Sequence, residues 1–284
     1  LFDFVFSTLS APDFLNIFGL LVFVVLSITA GAIYLADRTG QQSPAIQNAP
    51  DAMEVAYLAG GLSQVIRTLI YDLDERGYVT LEQETRIKRT EKDKETSSLS
   101  NLELRLLKKL ETAPKAQEIF DDQILRQDLM RLLLPVHARL DAQKLLQPAS
   151  VRHVRRLMEG LSTAAILSFA GFKLSILLAD GRSNISYLLF LVLAAIALVF
   201  ALGYAATRRV ASRRGRAYLA KMQDAFKHKL DESLEMIRSP GPQARAFSGA
   251  ALYLIGLYGF DVLKGTTEAK FAETFEGVAG DRDE

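Results

Sequence analysis

The sequence predicts a mainly α membrane protein, with three transmembrane helices that carry small winged-helix-like modules on the cytoplasmic side. Leu15 to Leu35 runs for 21 residues without a charge, long enough at about 1.5 Å per residue to cross a hydrocarbon core of about 30 Å. Leu161 to Ala179 and Ile185 to Ala206 repeat the pattern apart from one internal Lys173, with only Asp180 to Asn184 between them. The 284 residues are 49% hydrophobic and 24% charged, with 34 Lys and Arg against 33 Asp and Glu, but the charges are segregated into the stretches between the apolar runs. That segregation argues against a wholly soluble domain and against a disordered chain. No Cys is present, which removes disulfides, thiolate metal sites and cysteine nucleophiles.

From the N-terminus, residues 1–14 read as an outer tail and 15–35 as the first span. Asp3 and Asp13 are the only charges before that span. A cleavable leader would carry Lys or Arg there, so a retained anchor is expected. Orientation follows from Lys and Arg, which stay cytoplasmic. The tail has none and the hairpin turn has Arg182, whereas Arg152, Arg155 and Arg156 precede the second span and Arg208, Arg209, Arg213, Arg214 and Arg216 follow the third. The N-terminus is expected outside and the C-terminus in the cytoplasm. Tyr34, Tyr187 and Tyr204 occupy interfacial positions at span ends. Lys173 lies six residues from the outer end of its span, near enough to snorkel, with no carboxylate inside the expected spans to partner it in transport. Two stripes of small residues, Ala164, Ser168, Gly171, Ser175 and Ala194, Ala197, Ala201, Ala205, are expected to pack the hairpin on itself.

Residues 36–99 form the first cytoplasmic module. After a linker at Gly40 to Pro50, the stripe Val55, Ala56, Leu58, Ala59 predicts a helix that breaks at Gly60 and Gly61. Val65, Ile66, Leu69, Ile70 and Leu73 predict a second helix ending at Gly77. Val79 and Leu81 alternate with polar residues and Ile87 begins a return strand. Helix, break, helix and hairpin is the order of a winged helix, including those that bind only protein, and also of a plain helical hairpin with a β-flap. Beyond a charged linker at Glu91 to Ser98, residues 100–160 form a second helical module. Ser100 and Glu103 make a capping box, with Leu99 and Leu104 as a staple. Pro114 ends that helix, and Asp121 to Ala142 is a longer one, with stripe Ile124, Leu125, Leu129, Leu132, Leu133, Val136, Leu140 and a kink at Pro135. Residues 161–206 are the membrane hairpin. In 207–284, Thr207 to Ile237 is a charged amphipathic helix broken at Ser239 to Pro242. Phe247 to Leu263 is apolar nearly all round yet slightly short for a span, which favours a buried or interfacial helix packed on the cytoplasmic modules over a fourth crossing that would put the C-terminus outside.

Chemistry is sparse. His137, His153 and His228 stand apart, without partners at metal-ligand spacing. Gly60 and Gly61 lack the Lys and Ser or Thr of a phosphate loop. The pairs Asp121-Asp122 and Asp231-Glu232 read as solvated helix charges and not as a catalytic dyad. No catalytic, metal-binding or cofactor-binding residue is assigned, and no cofactor is implied.

Gln64, Arg67, Thr68, Tyr71 and Glu75 are expected on the exposed face of the second helix, with Arg67 and Tyr71 as anchors of a protein contact. The eight arginines flanking the hairpin are expected to meet anionic headgroups, at about 1 kcal/mol each near the surface. Residues 51–90 hold five Lys or Arg and seven Asp or Glu, a balance that opposes phosphate contact and disfavours nucleic acid. The expectation is a non-enzymatic integral membrane subunit or scaffold that docks a protein partner or a second copy. The alternatives are a membrane-anchored winged-helix DNA-binding regulator and an enzyme subunit whose site a partner completes.

The stretch EVAYLAGG (Glu54 to Gly61), followed by VIRTL (Val65 to Leu69) and ERG (Glu75 to Gly77), resembles a family of bacterial membrane proteins of unassigned function. Its members share an outer N-terminal anchor, a VAYLAGG helix pair, a membrane hairpin and a TRRGRA segment, here SRRGRA (Ser212 to Ala217). A late ALYGL-like run is similar to ALYLIGLY (Ala251 to Tyr258). Many members end in a Gly/Cys-rich tail; here there is no Cys, and the sequence closes on Asp281 to Glu284. The resemblance implies the topology above and a bacterial inner or specialised internal membrane, and implies no reaction.

Overall fold

The computed structural model describes residues 11–40, 44–46, 51–81, 86–90, 96–179, 185–238, 248–263 and 273–275. Its helices are α1 (Ala11–Ala36), α2 (Ala52–Glu75), α3 (Asn101–Leu110), α4 (Ala116–Asp121), α5 (Gln123–Leu132), α6 (Leu134–Ala142), α7 (Ala149–Ala179), α8 (Ile185–Thr207), α9 (Arg213–Arg238) and α10 (Ser248–Tyr258). Strands β1 (Val79–Leu81) and β2 (Ile87–Arg89) pair antiparallel. The hairpin turn at 180–184, the break at 239–242 and most of the linkers at 40–50 and 91–98 lie outside the described residues. Two compact units result, Leu1–Arg38 with Gln147–Arg209 and Thr39–Leu146 with Val210–Glu284, so the chain passes between them three times.

The first unit is α1, α7 and α8, each long and apolar enough to cross a membrane, with mean hydropathies of 2.4, 1.2 and 2.7 over an 18-residue stretch within Phe14–Ala36, Ala149–Ser175 and Ser186–Thr207. The basic stretch that the sequence divides from the span at residue 161 forms the first turns of the same helix. A narrow seam is buried, formed by Phe14 and Phe18 of α1, Ile166 and Ala170 of α7, and Leu188, Val192, Ala195 and Val199 of α8. Leu20, Phe23, Ile28, Leu161, Leu189, Phe190 and Leu193 face outward, as lipid-facing side chains do. The small-residue stripes depart from expectation. Ala164, Ser168, Gly171, Ser175, Ala197, Ala201 and Ala205 are exposed, because larger side chains fill the seam.

Several polar groups in this unit are matched across helices. Thr29 Oγ1 donates to Val25 O at 2.8 Å and meets Ser162 Oγ at 2.8 Å. A hydroxyl has one proton, so Ser162 donates the second bond. Lys173 Nζ lies 5.2 Å from the centroid of the Phe14 ring, which stacks on Phe169 at 5.8 Å, giving the cation an aromatic partner on α1. At the basic end, Ser150 Oγ donates to Ala36 O at 3.3 Å, Gln147 Nε2 to Ala206 O at 3.1 Å and Arg155 Nη1 to Thr207 Oγ1 at 2.5 Å. The first two bonds satisfy end carbonyls of α1 and α8 that lack partners within their own helices, and together the three bring those ends level with the start of α7.

The second unit begins with α2, two helices joined at a kink. Gly60 (φ −149°, ψ 23°) and Gly61 (φ 65°, ψ −155°) leave helical geometry, and the positive φ at Gly61 is one that glycine adopts at little cost. Asp51 caps the start, accepting from Met53 N at 3.0 Å. The end is a Schellman turn around Gly77: Tyr78 N donates to Leu73 O and Gly77 N to Asp74 O, both at 2.8 Å. This turn leads into β1 and its register Val79↔Arg89, Thr80↔Lys88, Leu81↔Ile87.

Ser100 and Glu103 form the predicted capping box of α3, while Leu104, the expected staple partner, stays exposed. The long helix expected over Asp121 to Ala142 is two helices. Asp122 caps α5 by accepting from Ile124 N and Leu125 N at 3.0 Å each, and Leu133 separates α5 from α6, with Pro135 in the first turn of α6.

Both expected modules share one core, to which Ile66, Leu69 and Leu73 of α2, Leu106 and Leu110 of α3, Leu129 of α5 and Ile255 of α10 belong. α10 lies along α2. Gln64 Nε2 donates to Ile255 O at 2.5 Å, and Gly256 permits the approach, since a Cβ there would stand 3.1 Å from Ala52 O. α9 meets α10 through Phe226 and Tyr253, stacked at 6.5 Å, and through Tyr258 OH, which donates to Gln223 O at 3.1 Å.

The passages of the chain into this unit meet in a clasp. Leu146 bridges to Ala211, and Ser212 donates from N to Leu145 O and from Oγ to Lys144 O, both at 2.8 Å. Ser212 Oγ also caps α9, accepting from Gly215 N at 3.0 Å. A Cβ on Gly215 would overlap Leu145 O, and the Arg213 guanidinium lies against Gly40. Arg214 N donates to Thr39 Oγ1 at 3.4 Å.

Ser212→Ala removes a helix cap of about 0.5–2 kcal/mol together with its bond to Lys144 O. It should lower the thermal midpoint measured by circular dichroism in detergent. Gly215→Ala should lower it further, and Lys221→Ala, on an exposed position of α9, should leave it unchanged. A wild-type midpoint for Gly215→Ala would show that the clasp does not hold the unit together.

Candidate functional site

The contact surface expected on the second half of α2 is not a surface. Gln64, Thr68 and Tyr71 are buried. Gln64 is bonded to α10, Thr68 Oγ1 donates to Gln64 O at 2.9 Å, and Tyr71 belongs to the core. Arg67 is half-buried, its guanidinium 5.6 Å from the centroid of the Phe120 ring. Glu75 alone of the five is exposed. For Gln64 the physical reason is α10, whose backbone gives it an acceptor, while Thr68 and Tyr71 turn into the interior of the unit. This half of α2 is a central core helix, so it offers a groove of nucleic acid little to touch.

Ion pairs line the rim of the unit. Arg76 bridges Asp72 and Glu103, Arg105 pairs with Asp128, and Arg89 reaches Glu111 at 2.6 Å. Lys109 meets Asp122 and Arg139 meets Glu54, both at 2.5 Å. Burial pushes the Asp72 carboxyl above the usual carboxylate range, against the pull of Arg76. The hydrogen bond from Lys109, with those from the Leu125 and Ile124 amides, holds Asp122 below that range. The Asp121-Asp122 pair is thus a helix junction.

The outward face of α5 and α6 is what the sequence reading missed. Leu125, Leu129, Leu133, Val136 and Leu140 form the buried stripe. Ile124 (70% exposed) and Leu134 (60% exposed) stand outside it with Met130 and Leu132. The signal was present: the segment carries apolar residues beyond the single stripe that one buried face uses. Nearby, His137 Nδ1 lies 3.0 Å from Tyr57 OH with the rings edge to face, and burial raises the Tyr57 phenol above its ordinary range. A cleft lined by Glu54, Val55, Leu58, Leu140, Gln143, Leu145 and Tyr218 holds about 10 Å³, enough for a single water. No cluster of three or more metal-ligating side chains occurs among the described residues.

The basic residues fall into two sets. In the first unit Arg152, Arg156, Arg208 and Arg209 are exposed, while Arg155 bonds Thr207 and lies 3.3 Å from Glu159. Glu159 is buried against Gly203, where a Cβ would run into its carboxylate. The sequence reading placed Glu159 outside the span. In the second unit Arg213, Arg214 and Arg216 are half-buried, the first two at the clasp. Comparison with known proteins returns no matching family model, curated protein or solved structure.

A group whose folded pKa is depressed stabilises the fold above its unfolded pKa, and that contribution is lost as pH falls through the folded value. Asp122→Asn should therefore melt below wild type at neutral pH. The gap should close between about pH 5 and pH 2, as read from thermal midpoints across that range. A gap that persists undiminished in acid would remove the Lys109–Asp122 charge pair as its cause.

Proposed function

We propose that this protein is a non-enzymatic integral membrane subunit whose second unit docks a protein partner. The observation that carries the reading is the exposed apolar set Ile124, Met130, Leu132 and Leu134, outside a unit that has an ample core of its own. The two helices that bear this set, α5 and α6, carry the ion-paired Asp128 and Arg139, and Asp122, which caps the first of them, pairs with Lys109. Exposed apolar side chains on helices whose charges are paired suit a protein surface, whereas a lipid-binding face favours a surplus of Lys and Arg. The proposed contact thus moves from α2 to α5 and α6.

The winged-helix-like reading of residues 52–89 is kept as an order of elements, and its second helix is given no role in recognition. The regulator loses ground because Gln64, Thr68 and Tyr71 are buried and the segment is acidic in balance. The family resemblance is consistent with a membrane subunit and adds no reaction.

The whole chain is the right test object, because α9 and α10 complete the core of the second unit. A photo-reactive amino acid at Ile124 or Leu134, illuminated in native membranes, should give a protein adduct that the same group at exposed Gln117 does not give. An adduct at the mass of two chains would identify the partner as a second copy. Adducts to lipid alone, or none, would overturn the docking reading. In a companion titration, salt-sensitive binding of random-sequence duplex at micromolar concentration or tighter would restore the regulator.

The proposed orientation puts the N-terminus outside and the second unit in the cytoplasm, on the strength of the Lys and Arg asymmetry. Single cysteines at Ser7 and Ser183 should be labelled from outside intact cells, and those at Thr96 and Thr266 should not. Labelling at Thr96 would invert the assignment.

A further inference from the structure

The bonds from Ser150 to Ala36, from Gln147 to Ala206 and from Arg155 to Thr207 set the end of α1, the start of α7 and the end of α8 at one level. Five exposed arginines are carried there, Arg38 just past α1, Arg152 and Arg156 on α7, and Arg208 and Arg209 just past α8. The carboxylates at this level, Asp37 and Glu159, are both buried, and Glu159 is engaged by Arg155. One turn inward, Tyr34 and Tyr204 are 56% and 48% exposed on α1 and α8, and aromatic rings in such positions mark headgroup depth. The guanidinium groups therefore sit at the depth of lipid phosphates.

We propose that this end of the three-helix unit is a binding site for the phosphodiester of an anionic phospholipid. Arg152, Arg156, Arg208 and Arg209 are its ligands, and Arg155 is the positioning residue that joins the two helices bearing them. Guanidinium forks match paired phosphate oxygens, and the net charge selects anionic over zwitterionic headgroups. The proposal rests on the three helices crossing a bilayer, and on neither their orientation nor the docking partner. A purely topological role for these arginines is the competing account. It predicts no dependence on lipid in a disc whose two leaflets are identical.

The test uses the whole protein in nanodiscs of phosphatidylcholine, with or without phosphatidylglycerol. The thermal midpoint should rise with phosphatidylglycerol. The R152Q/R156Q/R208Q/R209Q variant should lose the rise, whatever its midpoint in phosphatidylcholine. Native mass spectrometry of wild-type protein released from mixed discs should show phosphatidylglycerol retained above its share of the disc, a readout that does not depend on the variant folding. Equal midpoints in the two discs, retention of lipids in proportion to the disc, or a rise preserved in the variant would overturn the proposal. Inorganic phosphate reproducing the rise in phosphatidylcholine discs would assign the site to the free anion and overturn it for lipid.

Discussion

Ser212 joins the two stretches of chain from which the second unit is built, and the core of that unit depends on the junction. The bridge between Leu146 and Ala211 closes a loop that contains both α7 and α8. Closing so long a segment carries an entropic cost that grows only slowly with length, but the cost must be met before α10 can reach α2. Backbone and hydroxyl bonds from one buried residue, with Gly215 allowing the chains to touch, fix the ends locally. Once they are fixed, α9 and α10 are delivered to their places. The order of synthesis has a consequence. α2 is made early, yet the acceptor of its Gln64 amide lies on α10, which emerges only after the membrane hairpin. The second unit can therefore complete its core only after the chain of the first has been made.

In the membrane unit the same kinds of polar group face a different solvent. A seryl or threonyl hydroxyl in lipid has no water to fall back on, so the Thr29–Ser162 bond ties α1 to α7 where apolar side chains give helices little reason to prefer each other over lipid. Glu159 poses the harder case, a buried carboxylate at the margin of a span. Breaking such a pair by removing one partner leaves an uncompensated charge. Arg155 supplies the partner and also bonds Thr207, and Gly203 leaves the space. One arginine thus neutralises a charge and links two helices, which explains why it differs in exposure from Arg152 and Arg156 beside it.

Features set by local chemistry were legible in the sequence. The apolar lengths of the three helices, the break at Gly60 and Gly61, the Schellman glycine at Gly77 and the Ser100–Glu103 box all depend on residues a few positions apart. Features set by distant partners were not. Gln64, Thr68 and Tyr71 have the composition of an exposed face, and only the tertiary fold turns them inward, Gln64 through its bond to α10, about 190 residues away in sequence. Glu159 looked external because the boundary was drawn where the apolar run begins, whereas the helix starts earlier and carries the carboxylate inside. The small-residue stripes suggested close backbone approach, but Ile166, Val192 and Val199 fill the seam and leave the stripes facing out. The candidate contact surface shifted for the same reason: α5 and α6 carry more apolar positions than one core can cover.

The overall balance of 34 basic and 33 acidic residues conceals two regions with opposite charge behaviour. In the second unit acidic groups are matched internally. Asp51 and Asp122 cap helices, and Glu54, Asp72, Glu103, Asp122 and Asp128 each meet an arginine or lysine. Such a surface has little long-range field, so recognition there must come from contact and shape. At the basic end of the first unit the acids are withdrawn into the bundle and the arginines remain outside. Their field reaches about 8 Å at physiological ionic strength, the depth of a headgroup layer and not much further. Salt should therefore weaken what happens at the arginine end and leave the apolar face of α5 and α6 largely unaffected, since excluded salts favour apolar burial. One chain of near-zero net charge thereby carries two surfaces that answer to different variables.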